Sequence, residues 1–151
     1  MDKKNKTVCF TGHRDCKISY EDVYNVVLGL CEEDFLYFGV GGAVGFDMLV
    51  SKCIIDLKKI YKNIKLIVVI PFFGQEKYFS MDQKKEYYKI LNGADKVVCL
   101  NEKYKKGVYL MRDRHLINNS SLCVGYLRKY KGGTYYTVKY ALKMGVEVKI
   151  I

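Results

Sequence analysis

Hydrophobic residues in this chain fall in short uninterrupted blocks, and between the blocks they recur every three or four positions. The blocks Thr7 to Phe10, Phe35 to Val40, Lys65 to Ile70, Lys96 to Leu100, Leu122 to Leu127 and Val146 to Ile151 read as buried strands. Pro71 ends the third, because its missing N–H and fixed φ stop the ladder. The intervening segments read as helices. In the first, Ser19 is the N-cap with Asp22 three residues on, Ile18 and Val23 form a hydrophobic staple, and Val23, Val26, Val27 and Leu30 share a face. The second carries Phe46, Leu49, Val50, Cys53, Ile54, Leu57, Ile60 and Tyr61 as one core stripe. A third starts at Ser80, with Gln83 completing a capping box, and runs towards Gly93. The fourth, Val108 to about Asn119, carries Arg112, Arg114 and His115. The last, Tyr135 to Met144, stops at Gly145 in the C′ position.

Strands alternating with amphipathic helices over the whole length predict a single α/β domain, residues 1–151, with a mostly parallel sheet covered on both faces. In such a fold the chemistry lies beyond the carboxyl ends of the strands, where strand order reverses. Four connections gather there: Thr11 to Arg14, Gly41 to Asp47, Pro71 to Gly74, and Gly132 to Thr134. Their residues are the candidate site, including Gly12, Phe46, Pro71 and Phe72.

Phe38-Gly39-Val40-Gly41-Gly42-Ala43-Val44-Gly45-Phe46-Asp47 passes from an apolar run through glycines into an amphipathic segment. Such a turn is either a phosphate cradle or a tight strand-to-helix connection that binds nothing. Counted from Gly39, the third position of G-x-G-x-x-G falls on Val44, with Gly45 one step late, so the standard dinucleotide fingerprint is absent. As a cradle, Gly41, Gly42, Ala43 and Gly45 would offer N–H groups, and Gly132, Gly133 and Thr134 would do so from a second helix start. Two cradles suit a diphosphate or two separated phosphates. Arg14 would add a bidentate clamp, and Thr11 and Thr134 their hydroxyls. Asp47 reads equally as a helix cap or a ribose acceptor. His13 reads as a base or phosphate contact, or as an imidazole that holds its loop. Of Tyr135 and Tyr136, one would lie over a bound base while the other packs into the sheet, or both are core or dimer contacts.

Composition narrows the class. With half of its 151 residues hydrophobic and a single proline, the chain is not a disordered one. The longest apolar run, Leu66 to Phe73, is too short to cross a bilayer, and Met1-Asp2-Lys3-Lys4-Asn5-Lys6 lacks a signal-peptide core, so a cytoplasmic protein is expected. Six cysteines without a C-x-x-C pair, and two histidines, indicate neither zinc nor disulfides. The formal charge of +10 draws anionic partners without choosing among nucleotides, nucleic acids and membrane surfaces. Many of the lysines lie on expected helix faces or near turns, as solubilising charge does.

Cys9-Phe10-Thr11-Gly12-His13-Arg14, Gly41-Gly42-Ala43-Val44-Gly45-Phe46-Asp47 and Gly132-Gly133-Thr134, in that order, resemble the SLOG superfamily, which unites the DNA-processing protein DprA with the LOG phosphoribohydrolases. The match is nearest to the small stand-alone YpsA-like proteins, with motifs like T-G-H-R, G-G-A-x-G-F-D, an arginine-bearing helix and a late G-G-T. The resemblance implies a Rossmann-like domain whose glycine loops hold a nucleotide or nucleotide-derived ligand. LOG enzymes carry an arginine in M-x-x-R and a glutamate in G-G-x-G-T-x-x-E. Met111-Arg112-Asp113-Arg114 places Arg114 at the first, and one of Arg112 and Arg114, either equally, is expected to pair with Asp113 or another surface carboxylate. At the second, the glutamate position is Thr137, and no carboxylate lies between Gly132 and Met144. Cleaving an N-glycosidic bond normally uses such a carboxylate, for which Asp47 could substitute only if geometry brought it to the bond, so binding is favoured over hydrolysis. Asn118 and Ser121 stand where similar proteins tend to carry aspartates.

Three readings follow: a sensor or sequestering module for a small nucleotide, such as an ADP-ribose derivative or cyclic signal; a nucleoside-phosphate or ADP-ribose N-glycosidase; and a DprA-like nucleic-acid binder, motivated by charge and fourteen tyrosines. Self-association is a further expectation from the superfamily, with no stripe that marks an interface.

Overall fold

Local capping chemistry sets the helix starts. In the computed structural model, which describes residues 2–151, Ser19 Oγ accepts the Asp22 N–H at 3.1 Å and opens α1 (Tyr20–Glu32). Ser80 and Gln83 exchange reciprocal bonds of 3.2 and 2.9 Å at the start of α3 (Met81–Gly93). Three other helices start at glycines with positive φ and no side-chain cap: Gly45 before α2 (Phe46–Leu57), Gly107 before α4 (Val108–Asn118) and Gly132 before α5 (Gly133–Lys143). The fifth helix thus begins two residues earlier than the periodicity suggests, because the Tyr136 N–H already bonds the Gly132 carbonyl at 3.0 Å. The second helix ends sooner than its apolar stripe: at Leu57 the chain turns, and Ile60 is left 65% exposed.

The strands are β1 (Thr7–Gly12), β2 (Tyr37–Val40), β3 (Lys65–Ile70), β4 (Lys96–Cys99), β5 (Leu122–Tyr126) and β6 (Glu147–Ile150). Every neighbouring pair is parallel, in the order β4-β3-β2-β1-β5-β6. From β1 the chain steps outward to β4, and α4 then carries it back across the sheet to β5 on the other side of β1. Right-handed crossovers in opposite directions put α1, α2 and α3 on one face and α4 and α5 on the other. Side-chain alternation in β1 serves both layers, with Val8 and Phe10 in the core beneath α1 to α3 and Cys9 in the smaller core beneath α4 and α5. This is a Rossmann-like α/β fold whose strand order reverses at β1 and β5. Among the described residues, no helix is long and apolar enough to cross a membrane.

Candidate functional site

At that reversal, beyond the carboxyl ends of β1 and β5, opens a cleft of about 610 Å³. Thr11, Gly12, His13, Arg14, Ala43, Asp47, Gly132, Gly133 and Thr134 line it, drawn from three of the four connections expected there. Its remaining wall includes Gln75, Phe79 and Gln83 on one side, Tyr109, Arg112, Asp113 and Leu116 on another, and Lys129 and Lys131 at the mouth.

The glycine turn before α2 is held from within. Asp47, near the start of α2, is buried and turns its carboxylate back into the loop, where Oδ2 accepts the Gly41 N–H at 3.1 Å and the Ala43 N–H at 3.3 Å. The Phe46 N–H goes to the His13 carbonyl at 3.3 Å. Two of the donors that a phosphate cradle would offer, the Gly41 and Ala43 N–H groups, are therefore already engaged, and Asp47 acts as the loop's internal anion rather than as an N-cap. Arg112 closes the loop from the opposite layer: its Nη1 donates to the Gly41 carbonyl at 2.5 Å and its Nε to Asp113 Oδ1 at 2.7 Å. A Cβ on Gly41 would lie 2.7 Å from that Nη1, so any larger residue there would push the guanidinium off its present position. Gln75 Nε2 donates to Tyr87 Oη at 3.0 Å and reaches the Gly42 carbonyl at 3.5 Å.

Burial pushes the Asp47 carboxyl up to about 6 from an ordinary 3.8, against the pull of nearby Arg112 and of the Ala43 and Gly41 N–H groups. A carboxyl that keeps its proton longer in the folded state favours folding most below pH 4, and this contribution is lost as pH rises to 6. Asp47→Asn, which keeps an acceptor oxygen, is expected to remove that dependence. In urea titrations the wild-type minus variant stability should fall by about 2 kcal/mol between pH 4 and 6; a flat difference would contradict the assignment.

His13 ties the two central strands together: its Nε2 accepts the Arg128 N–H at 2.8 Å, and its ring meets Tyr126 edge-on. Burial, then Lys129 and Arg128, lower its pKa against the opposing pull of Asp15, so the imidazole is neutral at pH 7. The geometry is that of a loop-holding histidine that also lines the cleft.

Several sequence candidates lie elsewhere. Gly41 and Gly42 sit beneath the cleft in the loop just described. Gly45 borders a shallower groove beside Arg14, and Phe46 is fully buried, stacked on Tyr126 under Gly12. Pro71 is buried, with its carbonyl bonded by Asn101 Nδ2 at 2.9 Å, and Phe72 packs against Tyr104 and Tyr109. Arg114 points away, its guanidinium on the Tyr136 hydroxyl and over the Tyr140 ring. The helix explains this: Tyr109, Arg112, Asp113 and Leu116 stand at i, i+3, i+4 and i+7 and share the cleft face, whereas residue 114 is about 200° around from 112. Arg112, not Arg114, enters the site, and the same spacing read from Tyr109 would have found it. Tyr135 meets Tyr130 and Lys139, and Tyr136 meets Arg114, so neither tyrosine packs into the sheet or lines the cleft. Thr137, at the position of the LOG glutamate, donates its hydroxyl to the Gly133 carbonyl at 2.8 Å.

What the cleft leaves open is the N-terminus of α5. No side chain caps Gly132, and Gly132, Gly133 and Thr134 face the cavity with Lys129, Lys131 and Arg14 around it. Helix starts of this kind attract anions.

Comparison with known proteins agrees with this fold. The structure aligns with DNA processing protein A of Streptococcus pneumoniae at TM-score 0.71 and 22% identity, covering 98% of this chain and 50% of that one. It aligns with DNA processing protein A of Helicobacter pylori, whose structure concerns its single-stranded DNA binding mode, at TM-score 0.70 and 20% identity, covering 95% of this chain and 64% of that one. In sequence, the chain is 32% identical over 126 residues to the uncharacterized SPbeta prophage-derived protein YoqJ of Bacillus subtilis, covering 76% of this chain and 74% of YoqJ. It is 29% identical over 120 residues to the UPF0398 protein BH1768 of Halalkalibacterium halodurans, covering 78% of this chain and 64% of that relative. Residues 8–149 match the family model YpsA, described as the YspA SLOG family, and the chain belongs to that family.

Proposed function

We propose that the cleft binds a nucleotide or nucleotide-derived small molecule, such as an ADP-ribose-like compound or a cyclic nucleotide signal, and that the protein senses or sequesters it. The observation that carries this reading is the uncapped start of α5, opening into a cavity with Arg14, Lys129 and Lys131 on its walls. The bonds of Asp47 within the other glycine loop support Gly132, Gly133 and Thr134 as the site of the ligand's phosphate. Binding without turnover is favoured because Thr137 replaces the glutamate expected of a LOG-type hydrolase and turns its hydroxyl to its own helix. A second reading, single-stranded nucleic acid, draws on the net charge of +10 and on the DNA processing protein A structures that share the fold.

Native mass spectrometry before and after denaturation looks for a co-purified nucleotide, and titration with AMP and ADP-ribose measures affinity. Saturable binding that weakens about tenfold or more in a Lys129→Ala/Lys131→Ala variant is expected, without release of free base. Oligonucleotide binding that falls steeply with salt and is not displaced by mononucleotides would favour the second reading.

A further inference from the structure

We propose that Tyr109, braced by Phe72 and Tyr104, is the stacking platform for the aromatic base of the cleft's ligand, an inference that rests on the nucleotide reading above. Two segments at the carboxyl edge of the sheet supply the three rings: Phe72 just after β3, and, from the β4-to-α4 stretch, Tyr104 in the link and Tyr109 in the first turn of α4. Their centroids lie 5.5 Å apart for Phe72 and Tyr104, 5.9 Å for Phe72 and Tyr109 and 6.3 Å for Tyr104 and Tyr109, the two Phe72 contacts edge to face at 70° and 79°. Such contacts fix the orientation of a ring. Yet Tyr109 remains 45% exposed, on the cleft wall. A ring held by two others and still open to a polar cavity is pre-ordered for a planar partner, because its side-chain entropy is already spent.

The order of groups along the wall fits a nucleotide. The Arg112 guanidinium lies 5.9 Å from the Tyr109 ring centroid and bonds Asp113. Asp113 in turn adjoins the start of α5, its Oδ2 lying 4.0 Å from where a Cβ on Gly133 would stand. From ring to helix start, the cleft thus presents an aromatic face, a carboxylate and an anion site. These match a base, the hydroxyls of a sugar and a phosphate in their covalent order.

Calorimetric titration of the full chain with AMP and with ribose 5-phosphate separates the base from the rest of the ligand. AMP is expected to bind about 5- to 150-fold tighter, the range that stacking on one aromatic ring supplies. Tyr109→Ala should bring that ratio close to one while leaving ribose 5-phosphate binding in place. Tyr109→Phe should keep it, as should Tyr130→Ala, which removes a ring that is 86% exposed outside the cleft. Equal affinities in the wild type, or a ratio that survives Tyr109→Ala, would overturn the platform and leave the phosphate site standing. If neither compound binds, the nucleotide reading falls and the platform falls with it.

Discussion

Arg112→Ala is expected to lower stability by about 3–5 kcal/mol, whereas Arg114→Ala, two residues along the same helix, should stay within about 0.5 kcal/mol. The guanidinium of Arg112 is only 7% exposed; it satisfies the Gly41 carbonyl, pairs with Asp113 and offsets the charge of buried Asp47. Truncation leaves that carbonyl and both carboxylates without their cation, and a buried charge that loses its counter-charge is costly. Arg114 meets only the exposed side of α5 through Tyr136 and Tyr140. Urea denaturation of the two variants decides the matter, and similar losses would contradict the wiring described here. Because Arg112 lowers the Asp47 pKa, its removal should also move the Asp47 titration above pH 6. Asp47→Asn added to Arg112→Ala should recover part of the loss, as expected of neighbours in one network.

Gly45→Ala is the second large effect, with an expected loss of about 2–5 kcal/mol from backbone strain and steric overlap together. Gly45 has φ 94° and ψ −120°, a conformation that side-chain-bearing residues rarely adopt, and a Cβ there would overlap the Arg14 carbonyl. That carbonyl belongs to backbone, so it cannot swing aside as a side chain would. Gly29, inside α1, provides the control: a Cβ there meets nothing within 4 Å, so Gly29→Ala should stabilise by about 0.5–1 kcal/mol. Thermal unfolding of both variants gives the comparison, and a neutral Gly45→Ala would show that the turn before α2 is not held as described.

The parts of the molecule legible in the sequence are those set by short-range chemistry. Ser19 with Asp22, Ser80 with Gln83, and Gly145 after α5 mark helix ends through local bonds and a local φ, and the apolar blocks mark strands through burial. Strand alternation with helices fixes the layers, and the reversal of order then locates the cleft. The interior of the site depended on contacts that no local pattern carries. Asp47 reaches back six residues to Gly41, and Arg112 reaches Gly41 across 71. A glycine-rich turn looks the same in sequence whether its N–H groups face a ligand or a carboxylate of its own helix. The motif spacing pointed to Arg114, and only helical phase separates it from Arg112. Gln75 lies in a short 3-10 turn, Gln75–Tyr78, with no periodicity to announce it.

The proposed anionic ligand docks at the start of α5 and not in the Asp47-filled loop. Amide chemical-shift mapping with AMP tests this most directly, because it reports on each backbone N–H separately. The largest saturable shifts are expected at Gly132, Gly133 and Thr134, with Gly41 and Ala43 nearly unmoved. Dominant shifts at Gly41 to Gly45, or small shifts scattered over the lysine-rich surface with no saturation, would contradict it.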